Sequence, residues 1–201
     1  MDCKHQTLTL YTAQAAPVRE ALARDGVCFS RAAYVREKYG ESAPGFLTAY
    51  RWFAGRAAEI VPRPREAEFP YWAFRDLYST ESSGDSRILT LRVPAGQAVL
   101  FDLYDWNKIL RLQYLGEDEA QERAFRRELA LRGLTEYQVM LTDFYPQWKA
   151  RILASWERLF RHHRALCRGD LSGVGGVEAA LWKLDAAWLD APSGPINGKI
   201  C

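Results

Sequence analysis

A chain of 201 residues, 48% hydrophobic and 26% charged, has an ordinary globular composition and enough length to bury a core without disulfide or metal staples. Its formal net charge of +2 excludes a strong global pull towards nucleic acid or membrane and leaves only local patches for that purpose. The cysteines, Cys3, Cys28, Cys167 and Cys201, are too far apart in sequence for a metal knuckle or a CxxC redox pair, and they read as reduced thiols.

The opening Met1-Asp-Cys-Lys-His5 is polar and no apolar stretch follows it. No run reaches the length of a membrane span, so a cytoplasmic location is the expectation. Thr7 to Thr12 alternates and is rich in β-branched residues, which predicts a strand. Pro17 suits the first turn of a helix with Val18, Ala21 and Leu22 on one face. Gly26 ends that helix, and Val27-Cys28-Phe29 reads as a short strand. Ala32 to Ser42 is mixed and charged. A second helix is predicted from Pro44 to Ile60, carrying Phe46, Ala49, Tyr50, Phe53, Ala57 and Ile60 at helical spacing. Pro62 and Pro64 stop it. Arg56, Arg63 and Arg65 make its exit basic, as a solvated helix C-terminus favours.

Phe69 to Leu77 is dense in aromatics and predicts a strand, and Tyr78 to Ser86 predicts a polar loop. Ile88 to Val93 alternates with period two. Pro94 and Gly96 supply a tight connection. Ala98 to Leu103 is apolar at nearly every position, as in a strand covered on both faces. The run exits into Asp102, Asp105, Trp106 and Asn107. Asp105 reads as the N-cap of a helix through Leu112, whereas Asp102 either caps or lines a site.

Glu117 to Arg132 is charged and helical in pattern, and Gly133 breaks it. Thr135 with Gln138 forms a capping-box signature. Pro146 separates one helix from another that begins at about Tyr145. That helix carries Trp148, Ile152 and Trp156 on an apolar stripe, with Lys149, Arg151, Arg158 and Arg161 elsewhere. Gly169 to Gly176 is a Gly-rich loop without a P-loop lysine. Val177 to Leu184 reads as a late strand, with Glu178, Ala180 and Trp182 on one face and Val177, Ala179 and Leu181 on the other. Asp185 to Leu189 reads as one helical turn, and 192–201 as a flexible tail. Strands at both ends and in the middle, without βαβ alternation, predict an α+β class. The reading is a single domain over 1–191 with a mixed, split β-sheet, flanking helices and a helical C-terminal half. A charged helical segment at 116–168 interrupts it before the late strand.

The chain holds no GxSxG, HExxH, Walker lysine or GxGxxG pattern. Its histidines are His5, His162 and His163. Adjacent helical residues point about 100° apart, so His162 and His163 do not share a metal, and no metal site is expected. Trp52, Trp72, Trp106 and Trp182 fall in separate elements and read as core residues or as walls of a collected aromatic cleft.

Several motifs occur in order: Leu10-Tyr-Thr-Ala-Gln14, Ala49-Tyr-Arg-Trp52, Pro70-Tyr-Trp72, Val93-Pro with Val99-Leu-Phe-Asp102 and Trp106-Asn107, Tyr145-Pro with Ser155-Trp156, and Val177-Glu-Ala-Ala-Leu-Trp182. Over residues 7–189 this order resembles the bacterial domain of unknown function 3841 family, which brings no established activity. The opening Tyr11-Thr-Ala-Gln14, a helix, Gly26 and a short strand resemble the start of the ADP-ribosyltransferase fold. There a strand ending in Tyr-His-x-Thr leads to a helix and a glycine. The central and late strands resemble inner strands of the DNA-targeting ADP-ribosyltransferase toxins.

That second resemblance implies NAD as a substrate lying across a split sheet, with Glu178 as the catalytic acid. Thr12 stands where the family has its histidine, and Gln14 where it has its threonine. Tyr50, Trp72, Asp102 and Asn107 are the further NAD-contacting candidates. Nucleic acid as the acceptor is an analogy with the toxins alone. A fold does not carry its function with it. Two other classes therefore compete: a non-catalytic nucleotide or small-molecule binding module, and a protein-interaction module using the basic helix 149–168.

Overall fold

The computed structural model describes residues 6–190; the expected tail at 192–201 lies outside them. The chain opens with β1 (Thr7–Gln14), α1 (Ala16–Asp25) and β2 (Val27–Cys28). Pro17 lies in the first turn of α1, and Gly26 ends it at φ 74°, a left-handed conformation that glycine adopts without a Cβ penalty. Next comes α2 (Ala32–Tyr39), where the sequence reads only as mixed and charged. Its first N–H, at Ala32, is satisfied by the Glu68 carboxylate, a cap 36 residues away. A 3-10 turn leads into α3 (Ala43–Ile60), close to the predicted bounds.

The strands β3 (Tyr71–Phe74), β4 (Arg87–Pro94) and β5 (Ala98–Asp102) follow. The helical stretch comprises α4 (Leu103–Leu110), α5 (Glu119–Ala130), α6 (Glu136–Leu141), α7 (Pro146–Trp156) and α8 (His163–Cys167). The expected capping box is present: the Thr135 side chain accepts from Gln138 N–H, and Gln138 reaches back to the Thr135 backbone. The late strand divides into β6 (Val177–Leu181) and β7 (Leu184–Asp185), and β7 pairs with β2. The predicted turn after Asp185 is a 3-10 turn at Ala186–Trp188.

This is an α+β fold. The main sheet has the order β4-β1-β3-β6-β5. The expected mixed sheet is corrected here, because every pairing in it is antiparallel. The split is real in backbone terms. β1 and β4 pair from Thr7↔Pro94 to Gln14↔Arg87, whereas β1 meets β3 only at Tyr11↔Phe74. The sheet is thus two ribbons, β4-β1 and β3-β6-β5, joined at one residue pair.

The connection between β4 and β5 is as tight as predicted, a 3-10 turn at Ala95–Gln97. Yet these strands lie at opposite edges of the sheet. In a flat sheet they would be about 19 Å apart. The four Cα steps from Pro94 to Ala98 reach at most about 15 Å. The two ribbons therefore fold towards each other. One core fills the inside of that fold: Leu8, Leu10, Leu91 and Val93 from one ribbon meet Ala73, Leu100, Ala179 and Leu181 from the other. A second core lies on the outside of β3-β6-β5, under α3, α4, α5 and α7, with Phe53, Trp106, Phe125 and Trp156 in it. Both faces of β5 and β6 are covered, and all their residues are buried.

Candidate functional site

Glu178 is the second residue of β6. The register puts Phe74 opposite it on β3 and Phe101 opposite it on β5, and Tyr11 faces Phe74 across the split. Directly opposed residues point to the same face of a sheet. Tyr11, Phe74, Glu178 and Phe101 therefore form one row on the helix-covered face. The expected alternation along β6 holds: Ala180 and Trp182 belong to the outer core, and Val177, Ala179 and Leu181 to the inner one.

The Glu178 side chain is buried, at 4% exposure. Among the described residues nothing donates a hydrogen bond or an ion pair to its carboxyl. Burial raises its pKa well above the ordinary carboxylate value. An ionised carboxylate in such surroundings would be costly, so burial favours the protonated form.

Above this row the aromatic side chains converge. The Trp72 Nε1–H donates to the Tyr50 hydroxyl at 3.0 Å. Tyr50 lies 6.0 Å from Trp106, and Trp72 lies 5.0 Å from Trp106 and 5.1 Å from Phe53. Burial, followed by the neighbouring Tyr39 hydroxyl, pushes the Tyr50 phenol upward, and Glu178 acts in the same direction. So Tyr50, Trp72 and Glu178 belong to one neighbourhood. Trp52 does not join it, since it packs on Trp156 and Phe160. Trp182 also stands apart, donating through Nε1 to the Val61 carbonyl at 2.8 Å.

The other candidates fall elsewhere. Thr12 shares its strand face with Leu8 and Leu10 of the inner core, opposite to that of Glu178. It is 1% exposed. Its hydroxyl donates to the Trp72 carbonyl at 2.7 Å and accepts from Gln14 Nε2 at 2.7 Å. Both polar roles of that hydroxyl are therefore used, one across the split and one within β1. The β1 residue that shares the face of Glu178 at this level is Tyr11, which sequence patterning did not single out.

Asp102 is the N-cap of α4, a role the sequence reading gave to Asp105. Asp102 Oδ1 accepts from the Tyr104 and Asp105 N–H groups at 2.8 and 3.0 Å. Its Oδ2 accepts from Gly175 N–H at 2.6 Å and ties the Gly-rich loop to the strand exit. The helix starts earlier than predicted because the carboxylate at the end of β5 already meets the first free N–H groups. Asp105 then lies in the first turn and pairs with Arg161 at 3.3 Å. Burial raises the pKa of Asp105, against the opposing pull of Arg161. Asn107 is exposed on α4.

The basic exit of α3 does not behave as one unit. Arg56 pairs with Glu59 and Glu157. Arg63 and Arg65 instead line an open groove of about 620 Å³ together with Arg31, Arg36 and Arg51. None of these five guanidinium groups has an ion pair or hydrogen bond among the described residues. The sequence spreads them over three separate segments, so only the fold reveals the cluster. The basic stretch 149–168 shows the reverse pattern. Lys149, Arg151, Arg158 and Arg161 pair with Asp143, Glu128, Glu117 and Asp105.

Among the described residues no three His, Cys, Asp or Glu side chains gather as a metal site requires. No helix among them is long and apolar enough to cross a membrane. A family model described as a domain of unknown function (DUF3841) matches residues 9–189. No curated protein and no solved structure matches the chain.

Proposed function

For this chain, which belongs to the DUF3841 family, we propose an NAD-dependent, ADP-ribosyltransferase-like activity centred on Glu178. The observation that carries the reading is the placement of an unpartnered, buried carboxyl one strand away from the split between β1 and β3. A ligand laid across that split would meet Tyr11 on one ribbon and the Tyr50–Trp72 pair, with Glu178 behind it, on the other.

The chemistry follows from those groups. The bond between the ribose C1′ and the nicotinamide nitrogen breaks, and nicotinamide leaves with the bonding electron pair. An acceptor nucleophile forms the new bond at C1′ and releases its proton to solvent. Positive charge develops on the ribose as the bond breaks, and a fixed carboxylate beside it lowers the barrier. Burial favours the protonated form of Glu178. The cationic nicotinamide ring would favour its ionised form, because an opposite charge nearby lowers a carboxyl pKa. Binding of substrate and activation of the carboxylate are thereby linked. Thr12 and Gln14 act in this reading as the staple of the split and not as NAD contacts.

The second reading is a nucleotide or small-molecule binder without turnover. It is favoured by the burial that disfavours an ionised Glu178 and by the aromatic packing of Tyr50, Trp72 and Trp106 above it. The interaction-module reading loses weight because four of the six cations of 149–168, all but Arg164 and Arg168, are already paired within the chain.

The test uses purified protein with NAD, scored for thermal shift and for nicotinamide release with and without DNA, RNA or protein acceptors. The transferase reading expects both signals, with Glu178→Gln abolishing release and keeping the shift. A shift without release assigns the binder. Neither signal sinks both NAD readings.

A further inference from the structure

The arginine-lined groove is a separate feature from the Glu178 row. Arg31 and Arg36 come from the start and end of α2, Arg51 from the middle of α3, and Arg63 and Arg65 from the connection between α3 and β3. All five are exposed. The single carboxylate in the lining, Glu68, is engaged with the Ala32 N–H at the head of α2. The whole chain has a formal charge of +2. Five unpaired arginines against one occupied carboxylate exceed that total within one groove. Like charges gathered in one groove repel each other, and an anion among them relieves that repulsion.

The walls are fixed mainly by contacts of the backbone. Trp182 Nε1 holds the Val61 carbonyl at the start of the connection. The Arg63 guanidinium lies 6.0 Å from the centroid of the Trp182 ring. Ala67 N–H closes a turn onto the Pro64 carbonyl at 3.2 Å. Glu68 N–H donates to the Ser30 carbonyl, and Ser30 forms a β-bridge with Phe69. The two chain segments that bear Arg31 and Arg63–Arg65 are therefore tied together at their bases, with the guanidinium ends free. Holding these segments in place lowers the ordering cost of binding an anion, which is then confined to the side chains.

We infer that this groove binds the phosphates of a ligand carrying several of them in close succession. A planar guanidinium presents forked N–H donors that match phosphate oxygens, and five such forks exceed what a single phosphate can engage. A groove of this volume is in the range of small-ligand sites. The chemistry is shared by a free oligophosphate and by a nucleic-acid backbone. The inference does not rest on the NAD reading. Trp182, at the groove end of β6, is four residues beyond Glu178, or roughly 13 Å along the strand.

The full chain would be titrated with sodium tripolyphosphate by calorimetry and with a labelled oligothymidylate by fluorescence anisotropy. Binding of either probe is expected, weakening as NaCl rises from about 50 to about 200 mM. The double variant Arg63→Glu/Arg65→Glu and the single variant Arg51→Glu should each lower affinity at least tenfold, while Arg123→Ala, at an exposed arginine of α5 that pairs with Glu119 and does not line the groove, should leave it unchanged. These positions are exposed, and unaltered melting curves confirm that the variants fold. Glu178→Gln should bind the probes as the parent does, whatever its effect on nicotinamide release. Tripolyphosphate binding without oligothymidylate binding assigns a free oligophosphate, and the converse a nucleic-acid backbone. Absence of binding by both probes at low salt, affinity unaltered in the arginine variants, or equal competition by sulfate overturns the inference.

Discussion

The Thr12 hydroxyl donates to the Trp72 carbonyl at 2.7 Å and so bridges β1 and β3 where their backbones no longer pair. The sheet opens beyond Tyr11↔Phe74, and this side chain takes over the role that a ladder hydrogen bond plays elsewhere. Thr12→Val keeps the shape and removes the hydroxyl. It leaves the Trp72 carbonyl without its donor and Gln14 Nε2 without its acceptor. A buried polar group left unpaired costs about 1–3 kcal/mol. For a chain of this size each kcal/mol lowers Tm by about 2–4 °C. Calorimetry should show that drop, and hydrogen exchange should rise at the ends of β1 and β3. A variant as stable as the parent would show that the split needs no staple.

Glu178 yields a prediction of the opposite sign. Its folded-state pKa is raised by burial. Such a group contributes stability that is fully present below its unfolded pKa, near 4.3, and is lost as pH rises through the folded value. Glu178→Gln has nearly the same shape and no proton to lose. The variant should match the parent at mildly acidic pH and melt higher at alkaline pH, by a gain of order 1 kcal/mol. Melting curves across pH 5 to 9 decide it. Parallel profiles for the two proteins would mean that the carboxyl is solvated in a way the burial of β6 does not allow.

Local signals were legible in the sequence, and long-range ones were not. The capping box at Thr135 and Gln138, the start of a helix at Pro146 and the two faces of β6 are all encoded within a few residues. α2 was missed because its cap, Glu68, comes from another segment. The alternation in Arg87–Pro94 identifies β4 as a strand. It carries no information on which edge β4 occupies, and β4 and β5 prove to be at opposite edges. Of the candidate site, Tyr50, Trp72 and Glu178 come together, Thr12 with Gln14 lies on the other face, and the five arginines emerge only from folding.

Asp102 is a test of capping against chemistry. Its two oxygens serve three backbone N–H groups, at Tyr104, Asp105 and Gly175. Asp102→Ala frees all three and should cost about 2 kcal/mol, at the upper end for an N-cap. Asp102→Asn retains the carbonyl oxygen for the two helix N–H groups, but its amide opposes Gly175 N–H with a second donor. It should be intermediate in stability and should increase exchange or proteolysis in 170–176 more than in α4. Limited proteolysis with mass spectrometry locates the loosened segment. Equal destabilisation of helix and loop by Asn would argue that the carboxylate charge, and not the acceptor geometry, holds the junction.

His163 closes the outer edge of the sheet. Leu100 N–H, on the side of β5 away from β6, donates to His163 Nδ1 at 3.1 Å. An unpaired N–H on an edge strand invites pairing with another chain, and the imidazole occupies it. Nδ1 must then be the unprotonated acceptor. Burial, reinforced by the neighbouring Arg164 charge, lowers the pKa of His163. A proton on Nδ1 would place two donors against each other. With the folded pKa below the unfolded value of about 6.5, the unfolded state binds more protons between the two. The stability linked to His163 is present above pH 6.5 and is lost as pH falls through the lower folded value. Thermal melts from pH 7.5 down to 5 should show Tm declining below about 6.5. His163→Gln offers an amide oxygen to Leu100 N–H and does not titrate, so its Tm should stay nearly level over that interval. A Gln variant that declines in step with the parent would overturn the assignment to His163, because Asp105 and Glu136, whose pKa values burial raises, favour the folded state as pH falls and cannot supply the decline. Light scattering at the lower pH supplies the second readout: only the parent should associate there, as its β5 edge is released.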